Sequence, residues 1–185
     1  MADGAGRKLV LLRHAKSAWP DVPDHDRPLA PRGQRDAPVM GRWLRTAGHV
    51  PDQVLCSTAR RARQTWQLAQ ARLGATPPVS LDEGVYQGSA AQLLDLVRRV
   101  SPAVGTLLLV GHDPAIGELA LTLAATTPAF HLSDAAPPGP LDRMRAKFPT
   151  AAIAVLEFTG TWDRLGPATA RLTSFVTPRE LAGGA

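Results

Sequence analysis

The stretch Lys8-Leu9-Val10-Leu11-Leu12-Arg13-His14-Ala15 decides the fold. Its apolar run reads as a short core strand, and an arginine and a histidine follow where that strand opens into a loop. Open α/β sheets bind their ligands beyond the carboxyl ends of the strands, so this position can make His14 a nucleophile. By itself, Arg-His is a short motif and more often structural than catalytic.

Outward from β-like Lys8–Leu12, similar runs recur at Gln53–Cys56, Thr106–Val110, Ala152–Phe158 and Ala170–Val176, with helical patterns between most of them. This alternation predicts a three-layer α/β/α sandwich around a largely parallel central sheet. Gly33 to Ala47 repeats apolar residues at helical spacing, and Gly48 is a natural stop, with Pro38 either near the first turn or at a kink. Ser57 or Thr58 is suited to cap a helix running to Leu73, and Ser89 another running to Val100. Asp113 and Pro114 suit the cap and first turn of a helix to Ala124, which sets His112 beside a helix N-terminus. Prolines at 128, 137, 138 and 140 break the pattern between Thr127 and Pro149, which reads as an irregular insertion with a short helix over Leu141–Phe148.

The 185 residues fit one domain over 1–185, with residues 1–6 as a loose tail. A formal charge of +5 would suit nucleic acid, membranes or phosphorylated substrates, but the arginines are scattered rather than gathered in one block. Nucleic-acid binding would also want aromatic residues interleaved with a basic groove, and that pattern is missing. The single cysteine, Cys56, rules out an intrachain disulfide and points to a reducing compartment, the cytoplasm. No apolar run approaches a membrane span, and the first eight residues lack a secretory pattern. His25, His49 and His131 show no metal-ligand spacing, so surface or loop roles and no metal or other cofactor are expected.

Three strand-to-loop junctions carry reactive or phosphate-binding side chains: Arg13-His14, Ser57 to Arg63, and Gly111-His112-Asp113. A parallel sheet brings such ends to one edge. Four segments carry a family resemblance: Leu11-Leu12-Arg13-His14-Ala15-Lys16-Ser17, Asp26-Arg27-Pro28-Leu29-Ala30-Pro31-Arg32-Gly33, Cys56-Ser57-Thr58-Ala59-Arg60-Arg61-Ala62-Arg63-Gln64-Thr65 and Leu109-Val110-Gly111-His112-Asp113-Pro114. In this order they resemble the histidine phosphatase superfamily, or phosphoglycerate-mutase-like proteins, and within it the short SixA-type phosphohistidine phosphatase branch. The superfamily usually has glycine where this chain has Ala15, a variation at home in the short branch.

The resemblance implies a metal-independent phosphatase in which His14 accepts the phosphoryl group while Arg13, Arg60 and His112 surround it. Phosphoryl transfer needs an aligned nucleophile and positive donors around the equatorial oxygens. Arginine forks bind phosphate through two parallel hydrogen bonds, so Arg60→Lys is not conservative. His14 must be neutral at the attacking nitrogen, its other nitrogen donating to an acceptor that fixes the tautomer. His112 is expected as a donor, protonated when the phosphate dianion is present. Asp113 and the helix after it are placed beside the phosphate, and Ser17 is a further hydroxyl donor.

Glu83 is the first candidate for the general acid, with Asp21, Asp24 and Asp26 as competitors. Arg61 and Arg63 read as peripheral, Arg27 as pinning its loop, Trp19 as bordering the pocket, and Trp43 and Trp66 as packing residues. The implied partner is a protein phosphohistidine. The alternatives are a small phosphorylated metabolite, handled by a phosphomonoesterase or mutase, and a non-catalytic phosphate-binding module.

Overall fold

The computed structural model describes residues 6–125 and 138–183. Six strands form one sheet: β1 (Gly6–Arg13), β2 (Gln53–Ser57), β3 (Val79–Asp82), β4 (Thr106–Gly111), β5 (Ile153–Thr159) and β6 (Arg171–Val176), in the order β3-β2-β4-β1-β5-β6. β1, β2, β3 and β4 pair in parallel, whereas β5 pairs antiparallel with both β1 and β6. The sheet is therefore largely parallel, with β5 the one reversed strand among those described.

Helices cover both faces, because every central strand is apolar on both. On one face Val10, Leu12, Val54, Cys56, Leu108 and Val110 pack against α1 (Pro31–Thr46) and α2 (Arg60–Leu73), which contribute Met40, Leu44, Trp66 and Leu73. On the other, Leu9, Leu11, Leu107, Leu109 and Leu156 meet α4 (Ala90–Arg98), α5 (Ala115–Leu123) and α6 (Pro140–Ala146) through Leu93, Ile116, Leu119 and Met144. Burial of each such leucine contributes roughly 2 kcal/mol. Short helices α3 (Glu83–Gln87) and α7 (Pro178–Ala182) complete the set among the described residues. None of these helices is long and apolar enough to cross a membrane.

Several expectations are corrected in detail. Gly6 already belongs to β1, where it pairs with Thr159, so it is not part of a loose tail, and residues 1–5 lie outside the described residues. Residues 127–137 of the expected insertion, with His131, also lie outside them; its remainder contains helix α6 and Phe148, buried against Phe175. α1 begins at Pro31 and runs through Pro38, whose missing N–H falls opposite the exposed Gln34. It ends before Gly48, which has φ +72, a conformation that favours glycine. Ser89 caps α4 in a full capping box with Gln92, and that helix stops at Arg98. Asp113 does not cap α5; Pro114 is the cap residue, and no side chain bonds to the helix end. Likewise Ala59 precedes α2, although Ser57 Oγ accepts from its N–H at 3.2 Å. His49 is buried beside Trp43 rather than on the surface.

The closest helix approach is α1 against α2 at Gly41, where an added Cβ would meet the Ala69 carbonyl oxygen at 1.9 Å. Backbone cannot yield to that overlap as a flexible side chain would. Gly41→Ala should therefore destabilise the protein by about 2 kcal/mol despite alanine's better helix propensity. Urea denaturation should show a lower midpoint at unchanged slope, and an unchanged or higher midpoint would refute the close approach.

Candidate active site

The site lies where β1 and β4 end side by side. Arg13 pairs with Gly111 in register, and the His14 N–H donates to the Gly111 carbonyl at 3.0 Å. His14 and His112 thus leave adjacent strands at the same level, their ring centroids 5.0 Å apart. The Ala151 N–H reaches the carbonyls of both Arg13 and His14 at 3.1 Å, closing the loop from the β5 side.

His14 is 8% exposed, and its Nδ1 lies 2.8 Å from the Ala15 carbonyl. A carbonyl only accepts, so Nδ1 carries the proton and Nε2 is left with its lone pair. Ala15 is itself fixed, its N–H donating to Thr65 Oγ1 at 2.9 Å, and Thr65 donates to the Arg61 carbonyl one helical turn back. Burial, with further contributions from His112, Arg61 and Arg13 against the opposing Ala15 bond, holds the His14 imidazole down to about 3. It is a neutral base at physiological pH.

His112 is held down to about 4, again first by burial and then by the Arg61 charge. Arg61 Nη2 donates to its Nδ1 at 3.3 Å, so Nε2 keeps the proton and donates to Ser57 Oγ at 2.7 Å. The expected donor role at Nε2 is met here by a neutral ring.

Arg60 is the main correction. It starts α2 on the exposed side, whereas Arg61 is 7% exposed and points to His112. Arg61 also donates to the Asp24 carbonyl oxygen at 2.7 Å and to its Oδ2 at 3.0 Å. Helical phase explains the exchange: Ala62, Thr65, Trp66, Ala69 and Leu73 are buried, and Arg61 shares that side while Arg60 and Arg63 do not. The apolar spacing of 62, 66, 69 and 73 carried this signal in the sequence.

Asp24 joins Arg61 to Arg27, which donates to Asp24 Oδ1 at 2.8 Å, Ser17 Oγ at 2.7 Å and the Ala18 carbonyl at 3.0 Å. Arg27 thus pins the loop, and Ser17 is engaged by it. Partial burial raises the Asp24 carboxyl, but hydrogen bonds from Arg27, Tyr86 and Arg61 outweigh it and bring the group down to about 2. Asp24 is a carboxylate at neutral pH and a poor proton donor. Arg13 donates to the Phe148 carbonyl at 2.5 Å and lies 3.6 Å from Asp113 Oδ2, so Asp113 serves as a counter-ion to Arg13.

Glu83 stands at the rim as the first residue of α3. Its Oε2 accepts from Thr58 Oγ1 at 2.5 Å and its Oε1 from Gln87 Nε2 at 3.2 Å. Trp19 is 77% exposed and stacks on Arg27, whose guanidinium carbon is 3.2 Å from the ring centroid. Cys56, buried in the strand beneath Ser57, has its thiol pushed up to about 12, mainly by burial, and is unsuited to nucleophilic work.

A largely parallel sheet presenting two neutral histidines and two arginines at the carboxyl edge of β1 and β4 defines an α/β protein with a positively charged crevice at a strand switch point. Residues 9–86 match the family model of the histidine phosphatase superfamily, branch 1. The chain is 44% identical over 169 residues to the uncharacterized protein Rv1276c of Mycobacterium tuberculosis, covering 91% of this chain and 100% of that protein. Among solved structures it is similar to a candidate phosphohistidine phosphatase SixA of Nakamurella multipartitia, with TM-score 0.78, 37% identity and coverage of 95% and 99% of the two chains. A candidate SixA of Agrobacterium tumefaciens gives TM-score 0.73 and 27% identity, with 93% and 98% covered. The chain belongs to the histidine phosphatase superfamily, in its SixA-type branch.

The two depressed imidazoles have a consequence for stability. In the unfolded chain a histidine takes up its proton near pH 6.5, while His14 and His112 resist it down to about 3 and about 4. The unfolded state therefore binds more protons over this interval, and stability falls as pH drops below about 6.5. Asp24 acts in a lower window: its contribution is present above the unfolded carboxyl range and is lost only as pH falls from about 4 towards about 2. Urea midpoints measured between pH 7.5 and 4.5 should fall for the parent and less steeply for a His14→Gln/His112→Gln variant. Parallel curves would overturn the assignment of neutral, buried rings.

Proposed function

We propose that this protein is a metal-independent phosphatase working through a phosphohistidine intermediate on His14, with protein phosphohistidine as its substrate. The observation that carries the reading is the bond from His14 Nδ1–H to the Ala15 carbonyl, which leaves Nε2 unprotonated between His112 and the Arg13 and Arg61 guanidiniums. The attacking lone pair is ready without a separate base.

In the first step the Nε2 lone pair forms a bond to phosphorus as the bond to the leaving group breaks. Arg13, Arg61 and the Nε2–H of His112 take up charge on the equatorial oxygens. Glu83 gives a proton to the leaving atom. In the second step water attacks phosphorus, the P–N bond breaks, its electron pair returns to His14, and the water proton passes to Glu83. The guanidiniums carry the positive charge the transfer needs, so no metal enters the scheme. Both hydrophobic cores rest on one sheet, which supports a single catalytic domain.

Likeness to SixA-type proteins at up to 37% identity supports a phosphohistidine substrate. A second reading, a small phosphorylated metabolite, is favoured by one feature. A cleft of about 450 Å³ adjoins Glu83 and is lined by Gln87, Gln92, Asp95 and Arg99, a size and polarity that suit a small leaving moiety.

Brief incubation with a phosphohistidine peptide should leave acid-labile phosphate on the enzyme, and His14→Ala should leave none and reduce turnover by at least about 10³-fold. Full turnover by His14→Ala would overturn the mechanism. Turnover of a metabolite panel but not of the peptide would select the second reading. Arg61→Ala should lower kcat/KM by about 10²-fold, and Arg60→Ala by no more than a few fold. The reverse order would restore Arg60 to the site.

A further inference from the structure

His25 has no part in the scheme above, yet it is tied to the group that would deliver the proton. It lies in the 3-10 turn Asp24–Asp26, on the loop that Arg27 pins. Its Nε2 is 3.0 Å from Thr58 Oγ1, and that same hydroxyl donates to Glu83 Oε2 at 2.5 Å. A hydroxyl both accepts and donates, so His25, Thr58 and Glu83 form a continuous hydrogen-bonded chain. We propose that His25 is a positioning residue that supplies the proton Glu83 passes to the leaving group, with the Thr58 hydroxyl as the link. This rests on the phosphatase reading and on Glu83 as its acid.

The transfer balances as follows. The Nε2–H bond of an imidazolium breaks as a new O–H bond forms at Thr58. The original Thr58 hydroxyl hydrogen moves to Glu83 Oε2. An imidazolium and a carboxylate become a neutral ring and a carboxylic acid. His25 keeps its remaining proton on Nδ1, 3.5 Å from Asp26 Oδ1. After water has attacked the phosphoenzyme, the proton gained by Glu83 returns along the same path. An imidazole retains its proton closer to neutral pH than a carboxyl group does, so the pair extends acid assistance to higher pH than a glutamate alone.

The setting of His25 favours that use. The Asp26 carboxylate faces Nδ1, the Tyr86 ring of α3 stands edge-on at 5.0 Å, and the Tyr86 hydroxyl donates to Asp24 Oδ2 at 2.9 Å. Arg61 spends its charge on the same Asp24. Gln87 holds the second oxygen of Glu83, which keeps Oε2 turned to Thr58.

The test compares two phosphate esters on the full-length protein: an alkyl phosphate, whose alkoxide needs a proton, and p-nitrophenyl phosphate, whose phenolate leaves without one. His25→Gln and Thr58→Val should each lose about tenfold more kcat/KM on the alkyl than on the aryl ester. In both variants the high-pH limb of the alkyl profile should move down by about one pH unit. Thr58→Ser retains the hydroxyl and should behave like the parent. Equal losses on both esters, an unmoved pH limb, or Thr58→Ser behaving like Thr58→Val would each overturn the relay while leaving the phosphatase reading intact. Failure of the parent to hydrolyse either ester or a phosphohistidine peptide would overturn that reading and the relay with it.

Discussion

The parallel register between β1 and β4 is the constraint on which the site depends. Arg13 lies opposite Gly111, and the next residue of each strand is a histidine. The chain leaves β1 for α1 on one face of the sheet and leaves β4 for α5 on the other. Adjacent strands whose connections part in this way open a crevice between them, the switch point at which open α/β sheets bind ligands. A slip of one residue would exchange the side chains that β1 presents to the two cores and move Arg13 off Gly111, so the packing of both cores enforces the alignment of the two imidazoles.

Burying Arg61 beside those rings carries an electrostatic cost that the loop from Ser17 to Leu29 offsets. An unpaired guanidinium at this depth would cost several kcal/mol, but Asp24 accepts from it through both backbone and carboxylate oxygens. The same aspartate binds Arg27, and Arg27 fixes Ser17, Ala18 and the stacked Trp19. Loop conformation and site electrostatics are consequently one network. The positive charge it retains helps keep both histidines neutral, as an attacking imidazole requires.

What could be read from the sequence follows what burial writes into it. Four strands, β1, β2, β4 and β5, stand out because they lie inside the sheet, are covered on both faces and become apolar runs, and edge strand β6 shows through Leu172, Phe175 and Val176. β3 does not, since it lies at the sheet edge with Val79 and Leu81 40% and 53% exposed. His14 and His112 follow from the carboxyl ends of two such runs. The choice between Arg60 and Arg61 depends instead on helical phase, because adjacent residues differ by about 100° around the axis. Proximity to the strand end favoured Arg60, whereas the buried stripe of α2 selects Arg61. Asp113 shows a similar competition: a residue suited to cap a helix is drawn to Arg13 instead. His25 gave no signal in sequence at all, since its contacts join three segments separated by 33 and 25 residues.

Each guanidinium at the site has its own carboxylate, and the two pairs differ in a way that bears on phosphate capture. Arg61 is hydrogen-bonded to Asp24, whereas Arg13 meets Asp113 only at 3.6 Å, an ionic contact without a short bond. An arriving dianion therefore competes with Asp113 on better terms than with Asp24. Arg13 is also held, by its bond to the Phe148 carbonyl, so under the proposed mechanism it is the contact with Asp113 that gives way. Preorganised donors gain most from a low-dielectric setting because they do not have to turn when charge develops. Arg61, held from behind by Asp24 and set against His112, meets that condition; the looser Arg13–Asp113 contact keeps the crevice able to admit and release phosphate.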